Sequence, residues 1–203
     1  MTPISFRILR FFFQILAKLL FKLDVKGAAH IPQSGPVIIA ANHISYLDWL
    51  LIASACPRAP RFTLYAGYWK RWITPLFRWG GTIPICSKAE DPVTYKNAFI
   101  QMGQYLDDDH IIVIFPEGTL TSDGKLHPFK HGIDKVLARN PVPVVPCRLS
   151  YALWDHWTSR KPGPKSFSFR PQMLVTFGQP LGGIDAGAEK AFEAIQSLKR
   201  QHL

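Results

Sequence analysis

The sequence predicts an α/β fold in which helices flank a mostly parallel central sheet, with an amphipathic membrane-contact helix at the N-terminus. Two observations favour this fold. Apolar, strand-like runs alternate with helical patterns after Gly27, and the first 23 residues have a helical pattern of their own. Alternating strands and helices are typical of a parallel sheet with right-handed crossovers. The length of 203 residues suits one ordinary globular domain.

The first element is a helix over residues 4–23, where polar side chains recur at intervals of 3, 4, 4 and 4 residues. The polar positions are Arg7, Arg10, Gln14, Lys18 and Lys22. On a helix this spacing gives one narrow stripe, and nearly all other positions are apolar. Charges interrupt the segment too often for a transmembrane span. We therefore expect residues 1–26 to lie in a membrane interface and residues 27–203 to form the globular domain. A surface helix packed on the protein's own core is the alternative.

The later elements follow from apolar runs, turn residues and one clear helix cap. Asp91 followed by Pro92 places a capping residue before a proline at the first helical position, so a helix begins there and continues to Leu106. The other predicted helices are 45–55, 69–79, 132–139 and 188–200. The predicted strands are 37–41, 62–66, 82–86, 111–115 and 142–149. An exposed loop is expected at 160–165.

Charge and cysteine content narrow the class of protein. The chain has 24 Lys and Arg against 14 Asp and Glu, a formal charge of +10, and 13% aromatic residues. Such a surface suits nucleic acid or an anionic membrane, and the absence of a recognisable nucleic-acid motif favours the membrane. Three cysteines with no paired spacing support neither a disulfide framework nor a zinc site. We expect a peripheral or monotopic protein on the cytoplasmic face of the inner membrane, with no nucleic-acid partner.

Two groups of reactive residues follow predicted buried strands. His43 and Asp48 follow the strand 37–41 in the pattern N-H-x-x-x-x-D, a spacing that lets the carboxylate fold back toward the imidazole. A carboxylate there would orient the imidazole as a general base. For each residue alone, a loop histidine or a solvent-facing aspartate is the simpler interpretation. The second group, FPEGT at 115–119, follows the strand 111–115, and a parallel sheet would bring both groups to one edge.

The motifs together resemble the PlsC-type glycerolipid acyltransferases, a family of lysophospholipid and 1-acylglycerol-3-phosphate acyltransferases. Asn42, His43 and Asp48 match the family's first block, and FPEGT matches its third. GGTIPI at 80–85 resembles the second block, and VPVVP at 142–146 resembles the fourth. The run FPEGTLTSDGKLHPFKHG is most similar to the branch that contains 2-acylglycerophosphoethanolamine acyltransferase.

The resemblance implies an acyltransferase that works without a metal or cofactor and without an acyl-enzyme. His43 would deprotonate a lipid hydroxyl, and Asp48 would orient the imidazole of His43. Acyl-CoA or acyl carrier protein (ACP) would deliver the acyl group. Membrane phospholipids, the lysophospholipid acceptor and an acyl carrier protein are the implied partners. The implied substrate-binding residues are Asn42, Glu117, Gly118, Thr119, Lys88 and Lys130.

Two departures from the family pattern leave the acceptor open. Relatives that act on lysophosphatidate commonly carry an arginine at the end of the second block and another after the third, where this chain has Ser87-Lys88 and Leu120. Lysine can replace an arginine as a point charge but not as a planar fork. A lysophosphodiester is therefore as suitable an acceptor as lysophosphatidate. The alternative function is a lipid-binding module of the same fold with little or no turnover.

Overall fold

A seven-stranded sheet forms the centre of the molecule, and helices cover both of its faces. The computed structural model describes residues 4–69, 74–121, 123, 125–151, 170–182 and 186–200. The strands are β1 (Lys22–Lys26), β2 (Val37–Ala41), β3 (Pro60–Tyr65), β4 (Ile83–Ile85), β5 (Ile111–Ile114), β6 (Val144–Tyr151) and β7 (Gln172–Phe177). The helices are α1 (Ile4–Leu20), α2 (Asp48–Ala55), α3 (Thr74–Trp79), α4 (Pro92–Asp107), α5 (Gly132–Arg139) and α6 (Ala188–Arg200).

The sheet has the order β1-β7-β6-β2-β5-β3-β4, and among the described strands only the β6–β7 pair is antiparallel. This confirms the predicted mostly parallel α/β architecture. In the central register, Ala40 lies beside Ile114 on β5 and Ala41 lies beside Cys147 on β6. The carboxyl ends of β2, β5 and β6 therefore meet at one edge, which brings the loop after β2 next to the loop after β5.

Two apolar layers hold the sheet between its helices. One layer joins alternate residues of the central strands to α2 and to Phe21, and the other joins the remaining strand residues to α4, α5 and α6. All five residues of β2 are buried because both faces of this strand are covered. This explains why the strand has a continuous apolar run rather than an alternating pattern.

Several elements differ from the predicted bounds. The helix predicted over 45–55 begins at Asp48, because the main-chain N–H groups of Ile44 and Ser45 donate to the Asp48 carboxylate and hold the preceding segment as a loop. The helix predicted over 69–79 spans Thr74–Trp79, with Pro75 in its first turn, and residues 70–73 lie outside the described ranges. The loop predicted at 160–165 also lies outside the described residues.

The sequence did not predict β1 and β7. These two strands pair with each other in parallel. The first of them lies within the segment that the sequence grouped with the N-terminal helix. Its side chains are exposed except at Leu23, because it forms one edge of the sheet. Residues 22–26 alternate charged and apolar side chains, as a half-buried strand does, but the helix predicted over 4–23 took in the start of this segment and the strand was missed.

Helix α1 packs on α2 with one face and leaves a second apolar face exposed. Ala17 is buried, the rings of Phe13 and Trp49 meet edge to face at 5.4 Å, and Gln14 donates a hydrogen bond to the Ser54 carbonyl. Of the predicted polar stripe, Gln14 thus faces α2, and Lys22 lies on β1 because the helix predicted over 4–23 ends at Leu20. The exposed apolar face, which we call the α1 apolar face, comprises Ile8, Phe11, Phe12, Ile15, Leu16, Leu19 and Leu20. No helix in the described ranges is both long and apolar enough to cross a bilayer.

Candidate active site

His43 and Asp48 form a hydrogen-bonded pair at the carboxyl edge of the sheet. The Nδ1 atom of His43 lies 2.8 Å from Oδ2 of Asp48, as the sequence spacing predicts. The Asp48 side chain is 1% exposed, whereas that of His43 is 26% exposed. Within the described residues, Nε2 of His43 has no hydrogen-bond partner. The buried carboxylate therefore holds Nδ1, and the imidazole itself is partly exposed.

The loop between β2 and α2 is folded around the Asp48 carboxylate. The same Oδ2 atom accepts hydrogen bonds from the main-chain N–H groups of Ile44, at 2.7 Å, and Ser45, at 2.9 Å. Asp48 is the first residue of α2, where a negative charge also interacts favourably with the helix dipole. These main-chain contacts thus fix the position of the carboxylate independently of its hydrogen bond to the imidazole.

Asn42 holds the end of β2 against β6. Its side-chain amide donates to the Leu149 carbonyl at 3.0 Å and accepts from the Leu149 N–H at 2.7 Å. The residue is buried, and its amide takes the place of a main-chain partner in the ladder between the two strands. These contacts give Asn42 a structural task at the base of the site, beside His43.

Glu117 connects the two loops of the site through its carboxylate. Oε1 accepts the main-chain N–H of His43 at 2.8 Å, and Oε2 accepts the main-chain N–H of His127 at 3.0 Å. The residue is 4% exposed. Burial raises the pKa of Glu117, while the two main-chain N–H groups oppose this shift by favouring its charged form. Glu117 therefore fixes the backbone of His43 to the loop that follows β5.

The segment that follows Glu117 carries the predicted binding residues Gly118, Thr119 and Lys130. Gly118 has a φ of 68° and donates its N–H to the Phe115 carbonyl at 2.9 Å. A Cβ atom on Gly118 would lie only 2.7 Å from the Lys130 ammonium, so the lysine side chain crosses directly over the glycine. Thr119 and Lys130 are exposed. This arrangement places a cation and exposed polar groups in the segment that Glu117 joins to the backbone of His43.

Lys88 is more distant in the topology than the other predicted binding residues. It follows β4, and β3 separates that strand from β5. Lys88 is exposed, and across the described part of the chain no hydrogen bond or ion pair joins it to the residues around His43. The described ranges also contain no group of three or more His, Cys, Asp or Glu side chains placed to hold a metal ion.

Two contacts at the site were missed in the sequence. The ring of Phe115 is stacked on the His43 imidazole, with centroids 4.2 Å apart and planes at 24°. His127 pairs through Nε2 with Asp123 at 2.9 Å, and the Lys125 N–H and the Thr121 hydroxyl also donate to that carboxylate and lower the pKa of Asp123. The aromatic residue before P-E-G-T was a visible signal for the first contact. Nothing in the spacing indicated the second, which depends on how the loop folds.

Chemically, the site can accept a proton at Nε2 of His43 and stabilise the resulting imidazolium through Asp48. A buried carboxylate on one ring nitrogen selects the tautomer that leaves the other nitrogen free. A general base of this kind suits a substrate with a hydroxyl to be deprotonated.

Comparison with known protein families and solved structures gives a consistent result. The family model described as Acyltransferase matches residues 22–150, a range that contains both loops of the site. The crystal structure of the 1-acyl-sn-glycerophosphate acyltransferase PlsC from Thermotoga maritima superposes with a TM-score of 0.70, at 18% sequence identity, over 97% of this chain and 79% of that chain. At this identity the superposition supports the fold.

Several curated proteins are similar in sequence. The 1-acyl-sn-glycerol-3-phosphate acyltransferase alpha of Homo sapiens is 33% identical over 136 residues, or 64% of this chain and 46% of the relative. A chloroplastic 1-acyl-sn-glycerol-3-phosphate acyltransferase of Brassica napus is 30% identical over 134 residues, or 64% of this chain and 37% of the relative. A lysophosphatidylcholine acyltransferase of Drosophila melanogaster is 32% identical over 70% of this chain and 26% of the relative. The chain thus spans less than half the length of these curated relatives.

Proposed function

The chain belongs to the acyltransferase family, and on this premise we propose that it transfers a fatty acyl group from a thioester donor to the free hydroxyl of a lysophospholipid. The observation that carries the proposal is the His43–Asp48 pair, in which a buried carboxylate holds Nδ1 at 2.8 Å and Nε2 has no hydrogen-bond partner among the described residues. This is the arrangement that direct deprotonation of a hydroxyl requires.

The proposed reaction is a single acyl transfer without an acyl-enzyme. Nε2 of His43 takes the proton of the acceptor hydroxyl while the hydroxyl oxygen forms a bond to the thioester carbonyl carbon. The tetrahedral intermediate then collapses, the carbon–sulfur bond breaks, and the leaving thiolate receives the proton from the imidazolium. Asp48 stabilises the imidazolium and keeps the ring in the productive tautomer. The products are the diacyl lipid and a free thiol.

A phosphate-bearing lysolipid is the acceptor that the site and the names of the relatives favour. The relatives named 1-acyl-sn-glycerol-3-phosphate acyltransferases support lysophosphatidate, and the lysophosphatidylcholine acyltransferase supports a lysophosphodiester. Lys130 lies over Gly118, next to Glu117, whose carboxylate accepts the His43 N–H. We assign Lys130, Gly118 and Thr119 to the acceptor headgroup, with Lys88 as a further charge at the same edge of the sheet.

Asn42 and Glu117 support the site by positioning it. The amide of Asn42 bonds to the backbone of β6, and both carboxylate oxygens of Glu117 accept main-chain N–H groups. Because these polar atoms are engaged within the protein, we propose that the two residues fix the loops on which the acceptor is bound.

We further propose that the protein is bound to a membrane surface through residues 1–26, as a peripheral or monotopic protein on the cytoplasmic face of the inner membrane. The support is the α1 apolar face, together with the exposed cations Lys18 and Lys22 and the charge of +10. Apolar side chains beside basic residues are typical of helices that lie in an anionic interface. Lysolipid acceptors are found at that interface.

The test is an acyl-transfer assay with the purified full chain in phospholipid vesicles. Acyl-CoA and acyl-ACP are each crossed with a panel that contains lysophosphatidate, lysophosphatidylethanolamine and lysophosphatidylcholine. We expect thiol release and diacyl product with at least one pair, and a loss of about 10²- to 10⁴-fold in kcat for His43→Ala.

The matched control is His110→Gln, which alters a histidine that precedes β5 at the opposite edge of the sheet. We expect it to keep wild-type turnover. Full turnover by His43→Ala would overturn the mechanism. Lysolipid binding by the wild type without thiol release from either donor would instead support the lipid-binding module.

A further inference from the structure

Phe115 is the aromatic residue that covers one face of the proposed base. Its ring centroid lies 4.2 Å from that of His43, and the two planes differ by 24°, so the rings are stacked rather than edge to face. Phe115 follows β5 directly, and its carbonyl accepts the Gly118 N–H at 2.9 Å. Its side chain also packs on the apolar layer around α2. The backbone turn and the core thus hold the phenyl ring in place.

The hydrogen bond to Asp48 leaves one motion of the imidazole free. A single contact at Nδ1 fixes the position of that atom but allows the ring to tilt about the N···O axis. Such a tilt would swing Nε2 away from the acceptor hydroxyl. A flat ring stacked on the imidazole removes this freedom, because tilting would break the face-to-face contact.

We infer that Phe115 is a positioning residue for acyl transfer, which holds the plane of His43 and stabilises the imidazolium that forms when the acceptor hydroxyl loses its proton. The inference rests on the proposed function. The second effect follows from charge, since the face of an aromatic ring attracts a cation that lies within about 6 Å of its centroid. Phe115 therefore interacts more strongly with the protonated ring than with the neutral one, as a contribution to catalysis requires.

The competing explanation is that Phe115 only fills space in the core. Leucine is apolar and would fill much of the same volume, but it cannot stack. Tyrosine keeps the aromatic ring. The pair Phe115→Leu and Phe115→Tyr therefore separates stacking from packing. Phe62→Leu is the matched control, because Phe62 is a half-buried phenylalanine that packs on the same apolar layer from β3.

Kinetics provides the first measurement. We expect Phe115→Leu to lower kcat by about threefold to tenfold with an unchanged KM for the acceptor, because Phe115 acts on the base and not on the lipid. Phe115→Tyr should restore most of the wild-type kcat, and Phe62→Leu should retain it. Wild-type kcat in Phe115→Leu, or an equal loss in Phe62→Leu, would overturn the inference.

A spectroscopic measurement tests the stack without any turnover. The ring protons of His43, assigned by their disappearance in His43→Ala, should show an upfield ring-current shift in the wild type and in Phe115→Tyr. In Phe115→Leu the shift should be lost. Identical signals in the wild type and Phe115→Leu would overturn the inference. A wild-type protein without turnover would overturn the proposed function, and the NMR comparison would still decide whether Phe115 holds the ring.

Discussion

One oxygen of Asp48 determines both the shape of the β2–α2 loop and the charge beside the imidazole. It accepts the N–H groups of Ile44 and Ser45 and lies 2.8 Å from Nδ1 of His43. A carboxamide oxygen can still accept main-chain N–H groups, but it carries no charge to stabilise an imidazolium. Substitution by asparagine therefore separates the structural task from the electrostatic one.

We expect Asp48→Asn to lower kcat by about 10²-fold or more while leaving the thermal unfolding midpoint close to that of the wild type. Asp48→Ala should lower both, because it also leaves buried N–H groups without an acceptor. Steady-state acyl transfer and calorimetry on the same preparations give the two quantities.

Asp134→Asn is the control for this comparison. Asp134 accepts a hydrogen bond from the Ala188 N–H at 2.7 Å and pairs with the Nδ1 atom of His131 at 2.7 Å, so it has the same chemistry outside the site. Its kcat should match that of the wild type. Equal kcat values for Asp48→Asn and Asp134→Asn would show that the charge of Asp48 contributes nothing to turnover.

The sequence was sufficient to predict the His43–Asp48 pair but not the contacts of its neighbours. The pair depends on a short spacing after a buried strand, which is a local property. The carboxylate of Glu117 meets the backbone of His43 across 74 residues, and Phe115 reaches the imidazole from the same distant loop. Contacts of this kind depend on the register of β2 against β5, which a residue pattern does not specify.

At the scale of the elements, α4 is defined by its N-terminal cap. The Asp91 carboxylate accepts the N–H groups of Val93 at 2.9 Å and Thr94 at 3.2 Å, as the Asp-Pro sequence predicts. Hydrogen bonds from the side chain and main chain of Thr94, and then from Val93, lower the pKa of Asp91. The charged form of the cap is therefore favoured in the folded protein.

This lowered pKa makes the contribution of the cap dependent on pH. The carboxylate stabilises the folded state above the pKa that Asp91 has when unfolded, about 4, and the contribution disappears as the pH falls through the lower folded-state value. We expect Asp91→Ala to lower the urea midpoint at pH 7, and the difference from the wild type to shrink as the pH falls toward 2.

Asp24→Ala is the control for the loss of one charge, because Asp24 is exposed on β1 and caps no helix. Urea titrations monitored by circular dichroism at pH 7, 4 and 2 provide the comparison. A difference between Asp91→Ala and the wild type that stays constant over this range would contradict the proposed origin of the cap's effect.

The elements that the sequence predicted well are those whose pattern is local. The bounds of β2, α5 and α6 agree with the predicted residues, because continuous apolar runs and helical periodicity are visible in one segment. Strand β1 was missed because its residues gain their strand conformation by pairing with β7, about 150 residues away. The edge position of β1 keeps all of its side chains except Leu23 exposed, so the segment has no continuous apolar run like that of β2.

At the scale of the whole molecule, the α1 apolar face and the candidate active site lie on connected elements. Helix α1 packs on α2, the helix that begins with Asp48. Arg170 donates hydrogen bonds to the carbonyls of Lys18 and Phe21 and so holds the C-terminal end of α1. Tyr46 and Trp49, which flank the start of α2, are themselves partly exposed. A membrane bound to α1 would therefore be held at a fixed position relative to His43.

Replacing residues of the α1 apolar face by aspartate tests whether this face binds a membrane. Phe12 and Leu19 are 60% and 66% exposed, so Phe12→Asp and Leu19→Asp should leave the fold intact. Each removes apolar area from the contact and adds a charge repelled by anionic lipid, so we expect at least about tenfold weaker binding in sedimentation with phosphatidylglycerol-containing vesicles. Val93→Asp is the matched control, because Val93 is 67% exposed but lies on α4. Equal sedimentation of all three variants and the wild type would mean that the α1 apolar face does not contact the bilayer.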